Sequence, residues 1–322
     1  MTKLEITLLI IASIIASLFI IYIIVINVTL SIILSSPNKN EEITEENLFK
    51  SVDGKYQVKF NKCWVDKTPF KEVTTTSFDN IELHAKLFTP HPSSHVYAIF
   101  AHGYRGKWME QTYLDEKLDK RYHMNFLLIE QRGHQKSKAK FCTMGIKEST
   151  DLLSWINYII NIDKDAQILL MGHSMGGFTV ALALGKDLPS NVKCAYIEAS
   201  YYSPYTQYQF VLKKYGMIIF KSGWILPSVN LFAKSRMHID LKTSLDSSLS
   251  KTNIPTILIH GDNDSVVSFS NLKKIDDCFN KSTYHTTFVG KGADHVLSIY
   301  TDEKEYLNCL YNFLDKYFKN FN

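Results

Sequence analysis

The chain has 322 residues and a formal net charge of +4, with 45% hydrophobic and 21% charged residues. This length and composition suit a globular protein with one large α/β domain. The mild charge, without a basic run that carries interleaved aromatic residues, argues against nucleic-acid binding. The five cysteines are dispersed without a Cys-x-x-Cys pair, which argues against a disulfide framework or a zinc site, and we expect no metal or cofactor.

An apolar segment near the N-terminus is long enough to cross a membrane. No charged residue occurs from Ile6 to Asn38, and Leu8–Ile26 is almost wholly aliphatic. A membrane-spanning helix needs about 20 such residues, whereas a cleavable signal peptide has an apolar region of only about 7–15. The sequence predicts an uncleaved anchor over residues 1–36 that contacts the membrane through residues 8–34. A signal peptide and a buried core helix are the less favoured alternatives.

The charges that flank this segment give a slight orientation signal. Lys3 precedes the segment, and Lys39 follows it within a stretch of four glutamates. Because acidic residues count little in the positive-inside rule, the bias is small and favours an N-terminus inside and an extracytoplasmic remainder. The polar composition of residues 37–55 predicts a solvated spacer.

From residue 56 the chain alternates between strand-like and helix-like segments. The first two strands form a hairpin that turns at Asp79-Asn80. The predicted strands are Glu72–Thr76, Ile81–Phe88, Val96–Ala101, Asn125–Glu130, Gln167–Met171, Lys193–Glu198, Pro255–His260 and Tyr284–Val289. This order predicts an α/β domain over residues 56–322, with an eight-stranded, mostly parallel sheet and helices on both faces.

A long connection between the sixth and seventh strands interrupts this alternation. Connections in such folds usually take about 2–6 residues, but residues 201–254 intervene here and contain nine aromatic residues and seven Lys or Arg against two Asp. We interpret this segment as a cap insertion over the functional site. The alternative is a helical insertion whose aromatic side chains pack on the core and touch no substrate.

The pentapeptide Gly172-His173-Ser174-Met175-Gly176 lies between an apolar strand and an apolar helical segment. A G-x-S-x-G in that context predicts a sharp strand–turn–helix elbow that exposes the serine hydroxyl at a helix N-terminus. A serine hydroxyl is a weak nucleophile and needs a neighbouring base that a third group orients. The sequence therefore predicts Ser174 as a nucleophile.

The two partners of such a serine follow the last two predicted strands. His260-Gly261-Asp262-Asn263-Asp264 offers an acid, and Gly292-Ala293-Asp294-His295 offers a base. The order serine, acid, histidine is the one expected for this elbow. Asp262 remains an alternative to Asp264, and the alternative for His295 is a histidine on a surface loop.

Together these elements resemble the α/β-hydrolase fold serine hydrolases, in their lipase and esterase branch. The segment from His260 matches the H-G-x-x-D element, which implies that Asp264 is the acid. His102-Gly103-Tyr104 resembles the H-G-x element, which implies that the backbone amides of Tyr104 and Met175 form an oxyanion hole. Residues 130–137 are similar to the D-x-R-G-H-G-x-S loop, although Glu130 replaces the aspartate and Gln135 replaces the second glycine.

With its anchor, the chain also resembles membrane-bound cell-surface hydrolases of Gram-positive bacteria. The resemblance implies a membrane-anchored serine hydrolase of carboxylic esters, with a small lipid or an acylglycerol as substrate. The same residues also serve peptidases, amidases and thioesterases, so these remain alternatives. A non-catalytic surface-binding module is a further alternative.

Overall fold

The computed structural model describes residues 2–35, 50–51, 53–214 and 225–319. Most of the predicted spacer and the cap residues Tyr215, Phe220 and Trp224 lie outside the described residues. The helices are α1 (Lys3–Leu34), α2 (Lys62–Lys67), α3 (Thr112–Tyr122), α4 (Glu148–Ile162), α5 (Met175–Ala183), α6 (Pro204–Lys214), α7 (Ile225–Met237), α8 (Asp246–Leu249), α9 (Ser270–Asp276), α10 (Ser298–Thr301) and α11 (Glu303–Leu314). The strands are β1 (Phe70–Thr76), β2 (Glu82–Phe88), β3 (Val96–Ala101), β4 (Asn125–Glu130), β5 (Gln167–His173), β6 (Val192–Glu198), β7 (Thr256–Gly261) and β8 (His285–Gly290).

Within the described residues, the eight strands form one sheet in the order β1-β2-β4-β3-β5-β6-β7-β8. The strands β1, β2 and β4 pair antiparallel, and the remaining pairs are parallel. The predicted mostly parallel sheet with an antiparallel start is confirmed. Since parallel strands end at the same edge, the loops after β3, β5, β7 and β8 lie together there.

Helices cover both faces of the sheet because its central strands present apolar side chains to both sides. Ile99 and Leu127 belong to the core cluster that includes α4 and α5. The alternate residues Phe100 and Leu128 belong to the cluster that includes α3 and α11. Every residue of β3 and β4 is buried, as expected for strands covered on both faces.

The helix α1 has two parts that differ in exposure. Its side chains are exposed from Lys3 to Ile21, whereas Ile26, Leu30 and Leu34 are buried. These three residues recur every fourth position and therefore share one face of the helix. The helix packs there against α7 of the cap, and Leu34 O accepts a hydrogen bond from Cys142 N at 3.2 Å.

This packing buries one face at the end of the segment through which we expect membrane contact, residues 8–34, and that contact stays a prediction. The last part of the helix is still mostly apolar, although it carries Asn27, Thr29 and Ser31, so the sequence marks the change in its surroundings only weakly. The helix is long and apolar enough to span a membrane over Lys3–Ser31. Its last turns nevertheless belong to the core of the folded domain.

The loop of residues 130–137 accommodates both of its departures from the family pattern. Glu130 is buried, and its Oε2 accepts a hydrogen bond from Lys136 N at 2.8 Å. Gln135 occupies the left-handed region with φ +46°, where a glycine would be unstrained. Its amide Nε2 is buried without a hydrogen-bond partner among the described residues.

We predict that Gln135→Gly stabilises the protein. The substitution relieves left-handed backbone strain of about 1–2 kcal/mol, partly offset by the greater freedom of glycine in the unfolded chain. A net gain of about 1 kcal/mol would raise Tm by about 2–4 °C.

Differential scanning calorimetry of the detergent-solubilised protein measures this change. Asn80→Gly is the matched control, because Asn80 also has a positive φ of 59° but is a residue type that adopts it readily. An unchanged or lower Tm for Gln135→Gly would contradict the prediction.

Candidate active site

The elbow between β5 and α5 holds Ser174 in a strained conformation, with φ +53° and ψ −115°. Ser174 N donates to Glu198 O at 2.9 Å, and Ser174 O accepts from Phe178 N at 3.0 Å, which begins α5. A Cβ on Gly176 would lie 1.8 Å from Ala101 O, and one on Gly172 would lie 2.2 Å from Gly176 O. Because neighbouring backbone atoms approach so closely, no side chain fits at either position, and glycine is required at both.

The loop after β3 lies against this serine. A Cβ on Gly103 would lie 3.3 Å from Ser174 Cβ and 3.9 Å from its Oγ. The loop turns tightly, with Gly106 N donating to Gly103 O at 3.0 Å, and Arg105 N donates to His134 Nε2 at 3.1 Å. The structure thus brings Tyr104, which follows Gly103, and Met175, which follows Ser174, to the same edge of the sheet.

The imidazole of His102 and the side chain of Gln131 fix the base of that loop. His102 Nε2 accepts from Gln131 N at 3.1 Å, so the proton lies on Nδ1, which donates to Gly103 O at 2.8 Å. Gln131 Nε2 donates to His102 O at 2.5 Å, and Gln131 Oε1 accepts from Thr179 Oγ1 at 3.0 Å. Burial, together with the charge of His134, lowers the pKa of His102 to about 3, so this imidazole stays neutral.

His295 and Asp264 form a buried pair in the loops after β8 and β7. The distance from His295 Nδ1 to Asp264 Oδ2 is 2.8 Å. Asp264 Oδ1 accepts from Val266 N and Val267 N, each at 2.8 Å, and His260 Nε2 lies 3.2 Å from Asp264 Oδ2. The carboxylate is therefore held in place by donors on both of its oxygens.

The electrostatics of the pair favour its charged forms. Burial opposes the ionisation of Asp264, but the charge of His295 and the hydrogen bonds from His260 and His295 lower the pKa of Asp264 below its usual range. Burial likewise opposes protonation of His295, but the charge and hydrogen bond of Asp264 raise the pKa of His295 above its ordinary value.

The alternative acid, Asp262, does not contact His295 in the structure. Its side chain is exposed and accepts a hydrogen bond from Gly292 N at 2.6 Å. Asp294 was not predicted to act at the site. Its Oδ1 accepts from Ser265 N at 2.8 Å and from His295 N at 2.7 Å, so it ties the acid loop to the histidine loop.

A buried polar cluster behind the serine was missed in the sequence. Glu198 Oε2 accepts hydrogen bonds from the hydroxyls of Tyr196 and Tyr306, and Tyr196 OH lies 3.3 Å from His173 Nε2. Glu198 Oε1 is buried without a hydrogen-bond partner among the described residues, and the charge of Glu198 contributes to the raised pKa of His295. The available signal was Tyr196-x-Glu198, two polar residues on one face of an otherwise apolar strand.

The cap helix α6 lies over the loop that carries Asp264. Gln207 Nε2 donates to Val266 O at 2.8 Å, and Lys214 Nζ donates to Ser265 O. Tyr201 stacks on Phe178 of α5 with ring centroids 5.0 Å apart. Tyr201 therefore packs on the core, as expected if the insertion is helical and touches no substrate. Contact between the cap and a substrate stays a prediction.

The histidines of residues 91–95 do not come together as metal ligands. His91 Nε2 lies 2.6 Å from Asp119 Oδ1, and His95 Nδ1 lies 2.9 Å from Asp163 Oδ2. The group formed by His95, Asp163 and Asp165 has ligand-type atoms within 4.8 Å of one another. It lies at the start of β3 and the end of α4, away from the strand ends that carry Ser174.

A family model described as the alpha/beta hydrolase fold matches residues 99–221, which include the end of β3, the elbow and the start of the cap. The chain has the α/β-hydrolase fold. An esterase of Pyrococcus furiosus is similar, at 21% identity and a TM-score of 0.64 over 81% of this chain and 97% of the esterase. No curated protein sequence matches the chain.

Two further solved structures show the same fold. An α/β-hydrolase of Penicillium sp. sh18 has 15% identity and a TM-score of 0.55 over 78% of this chain and 99% of its own. An acylaminoacyl peptidase of Pyrococcus horikoshii has 16% identity and a TM-score of 0.58 over 82% of this chain and 44% of the peptidase. At these identities the likeness concerns the fold alone.

We predict that the pKa of the His295 imidazole lies above its ordinary value and that Asp264→Asn lowers it. The substitution removes the charge and the charged hydrogen-bond acceptor that raise the pKa, while the burial that lowers it remains. In the unchanged protein, the neutral form therefore increases as the pH rises through this raised pKa.

NMR of the histidine-labelled protein in detergent measures both midpoints, with the His295 signal assigned by its loss in His295→Gln. Asp262→Asn is the matched control and should leave the midpoint unchanged, since its carboxylate contacts Gly292 instead. Equal midpoints in the unchanged protein and Asp264→Asn would contradict the prediction.

Proposed function

We propose that this protein is a serine hydrolase that cleaves carboxylic esters through a covalent acyl-enzyme. The observation that carries the proposal is the buried His295–Asp264 pair, with its 2.8 Å hydrogen bond, at the sheet edge that also holds the strained Ser174 elbow. The charge of His295 also affects the pKa of His173, which directly precedes Ser174. These groups therefore share one electrostatic environment.

In the proposed mechanism, Ser174 Oγ attacks the acyl carbon and its proton passes to Nε2 of His295. Asp264 holds the Nδ1 proton and stabilises the imidazolium that forms. The amides of Tyr104 and Met175 stabilise the oxyanion. His295 then protonates the departing alcohol oxygen, and a water that it deprotonates hydrolyses the acyl-enzyme and regenerates the serine.

An ester substrate is favoured over an amide by the similarity to the esterase, which extends over 97% of that protein. The second candidate is a peptidase, favoured by the similarity to the acylaminoacyl peptidase. That similarity spans only 44% of the peptidase, so it concerns the shared fold and not the whole enzyme. A non-catalytic binding module is less favoured because each group that the mechanism needs is present.

The exposed part of α1 supports membrane anchoring. Large aliphatic side chains with 46–68% exposure occur at intervals from Leu4 to Ile21. An exposed apolar surface of this length is unfavourable in water and matches the thickness of a bilayer core. We propose that the helix crosses the membrane with its N-terminus inside, and that the enzyme acts outside on small lipids or acylglycerols.

We predict that a fluorophosphonate probe labels the protein and that Ser174→Ala abolishes the labelling. The probe phosphonylates a serine only where a neighbouring base activates it. In-gel fluorescence of the detergent-solubilised protein measures the labelling. Ser250→Ala, which changes a serine at the end of α8, is the matched control and should label fully.

Persistent labelling of Ser174→Ala would reject Ser174 as the nucleophile. If labelling depends on Ser174, the next measurement is kcat/KM for two sets of substrates. These are p-nitrophenyl esters of graded chain length, which an esterase cleaves, and N-acyl amino acid p-nitroanilides, which a peptidase cleaves. A higher kcat/KM for the anilides would favour the peptidase.

Cys63 offers a test of orientation, because it is exposed while Cys142, Cys194 and Cys278 are buried. We predict that a membrane-impermeant maleimide labels the protein on intact cells and that Cys63→Ser loses most of this labelling. Mass spectrometry of the purified protein gives the modified fraction. Labelling that appears only after the cells are lysed would place the domain on the cytoplasmic side.

A further inference from the structure

Two adjacent cavities lie where α1 enters the folded domain. One has a volume of about 560 Å³ and is bounded by α1, the end of α7, the tip of the β1–β2 hairpin and the segment of residues 139–147. The other has a volume of about 490 Å³ and is bounded by α1 and Arg105. Asn27 and Ser31 line both, so the two form a single recess beside the helix.

The lining of this recess is strongly cationic. Its basic side chains are Arg105, Arg132, Lys140, Lys147 and Arg236, whereas Asp79 supplies its acidic one. The guanidinium of Arg132 contacts both Asp79, at 3.0 Å, and Asp151, at 2.6 Å. Lys147 Nζ also lies 3.7 Å from Asp79 Oδ2. The two carboxylates therefore largely neutralise Arg132 and Lys147, and an excess of positive charge remains on Arg105, Lys140 and Arg236.

Arg236 is oriented towards α1. Its Nη1 donates to Asn27 Oδ1 at 2.6 Å, and Asn27 Nδ2 donates in turn to Ile23 O at 2.7 Å. This contact uses one of the five N–H donors of the guanidinium, a planar group whose geometry matches phosphate oxygens. Lys140, across the recess, is exposed, with its Nζ 5.3 Å from the ring centre of Phe141.

The depth of the recess along α1 matches the headgroup layer of a membrane. At 1.5 Å per residue, the 20 residues from Leu4 to Ile23 span about 30 Å, the thickness of the hydrocarbon core. Asn27 lies four residues further, about 6 Å beyond the core, within a headgroup layer of about 5–8 Å per leaflet. A hydrocarbon core placed over Leu4–Ile23, within the Lys3–Ser31 span, would therefore bring these cations to the level of lipid phosphates.

We propose that this recess binds the headgroup of an anionic phospholipid from the leaflet next to the domain. The phosphate lies between Arg236 and Lys140, and the acyl chains extend along the exposed apolar face of α1 towards Leu4. The inference rests on the proposed membrane anchor. It does not depend on the proposed chemistry at Ser174, because lipid binding can be measured without catalysis.

The test uses the full chain carrying Ser174→Ala, so that no hydrolysis can occur. The protein is equilibrated in dodecyl maltoside with equal amounts of phosphatidylglycerol and phosphatidylcholine, and bound lipid is counted by native mass spectrometry. We expect phosphatidylglycerol to be retained about tenfold over phosphatidylcholine, with a preference that weakens as the salt concentration rises. Soluble glycerol 3-phosphate should not compete at equal concentration, because it lacks acyl chains.

Lys140→Gln with Arg236→Gln should reduce the preference to near unity. Lys281→Gln is the matched control, because Lys281 is exposed just before β8, at the opposite edge of the sheet, and should keep the full preference. Circular dichroism melts establish that the variants fold. If the double variant fails to fold, each single substitution is expected to lower the preference at least threefold.

Equal retention of both lipids by the parent protein, or an unchanged preference in a folded double variant, overturns the inference. Equal competition by glycerol 3-phosphate also overturns it, in favour of a soluble phosphate ligand. A preference for phosphatidylglycerol that appears only after Glu41, Glu42, Glu45 and Glu46 are replaced by glutamine also overturns it. In that case the chain's own acidic segment would occupy the recess. Release of the protein from membranes by alkaline carbonate would instead reject the anchor itself.

Discussion

The close approach of the α5 N-terminus to the end of β3 is the contact on which the rest of the site depends. Gly176 has no side chain, and any Cβ there would collide with Ala101 O. This contact sets the position of Ser174 relative to Gly103. The loop of the proposed oxyanion hole is then fixed from its other side by Gln131 and His102, so its geometry does not rely on a bound substrate.

The fold could be predicted to a large extent because its signals are local. Six strands of six or seven residues, β3 to β8, most of them largely apolar and each followed by a helix or a long loop, specify a parallel sheet. The helix α2 could not be predicted, because its six residues are too few to establish a period. It exists because Trp64 packs on Phe88, with ring centroids 5.3 Å apart, and its Nε1 donates to Asp119 Oδ2 at 2.7 Å.

The candidate site was predictable where the chemistry follows from a short motif. Ser174, Asp264 and His295 each lie within a recognisable segment at a strand end, whereas the contacts that support them join distant parts of the chain. Gln131 reaches His102 across 29 residues, and Tyr306 reaches Glu198 across 108. No sequence period encodes such pairings, because they arise only when the sheet brings its strands into order.

The contact between α1 and α7 affects how the proposed enzyme would meet its substrate. Tyr22 OH lies 2.5 Å from Ser228 Oγ, and the buried face through Leu34 continues the contact, so α1 is packed directly on the cap. If α1 is the proposed membrane anchor, this contact would hold the domain close to the membrane surface. Ser174 would stand at a constant height above the bilayer and search in two dimensions, so its turnover would follow the surface density of substrate rather than its concentration in the bulk solution.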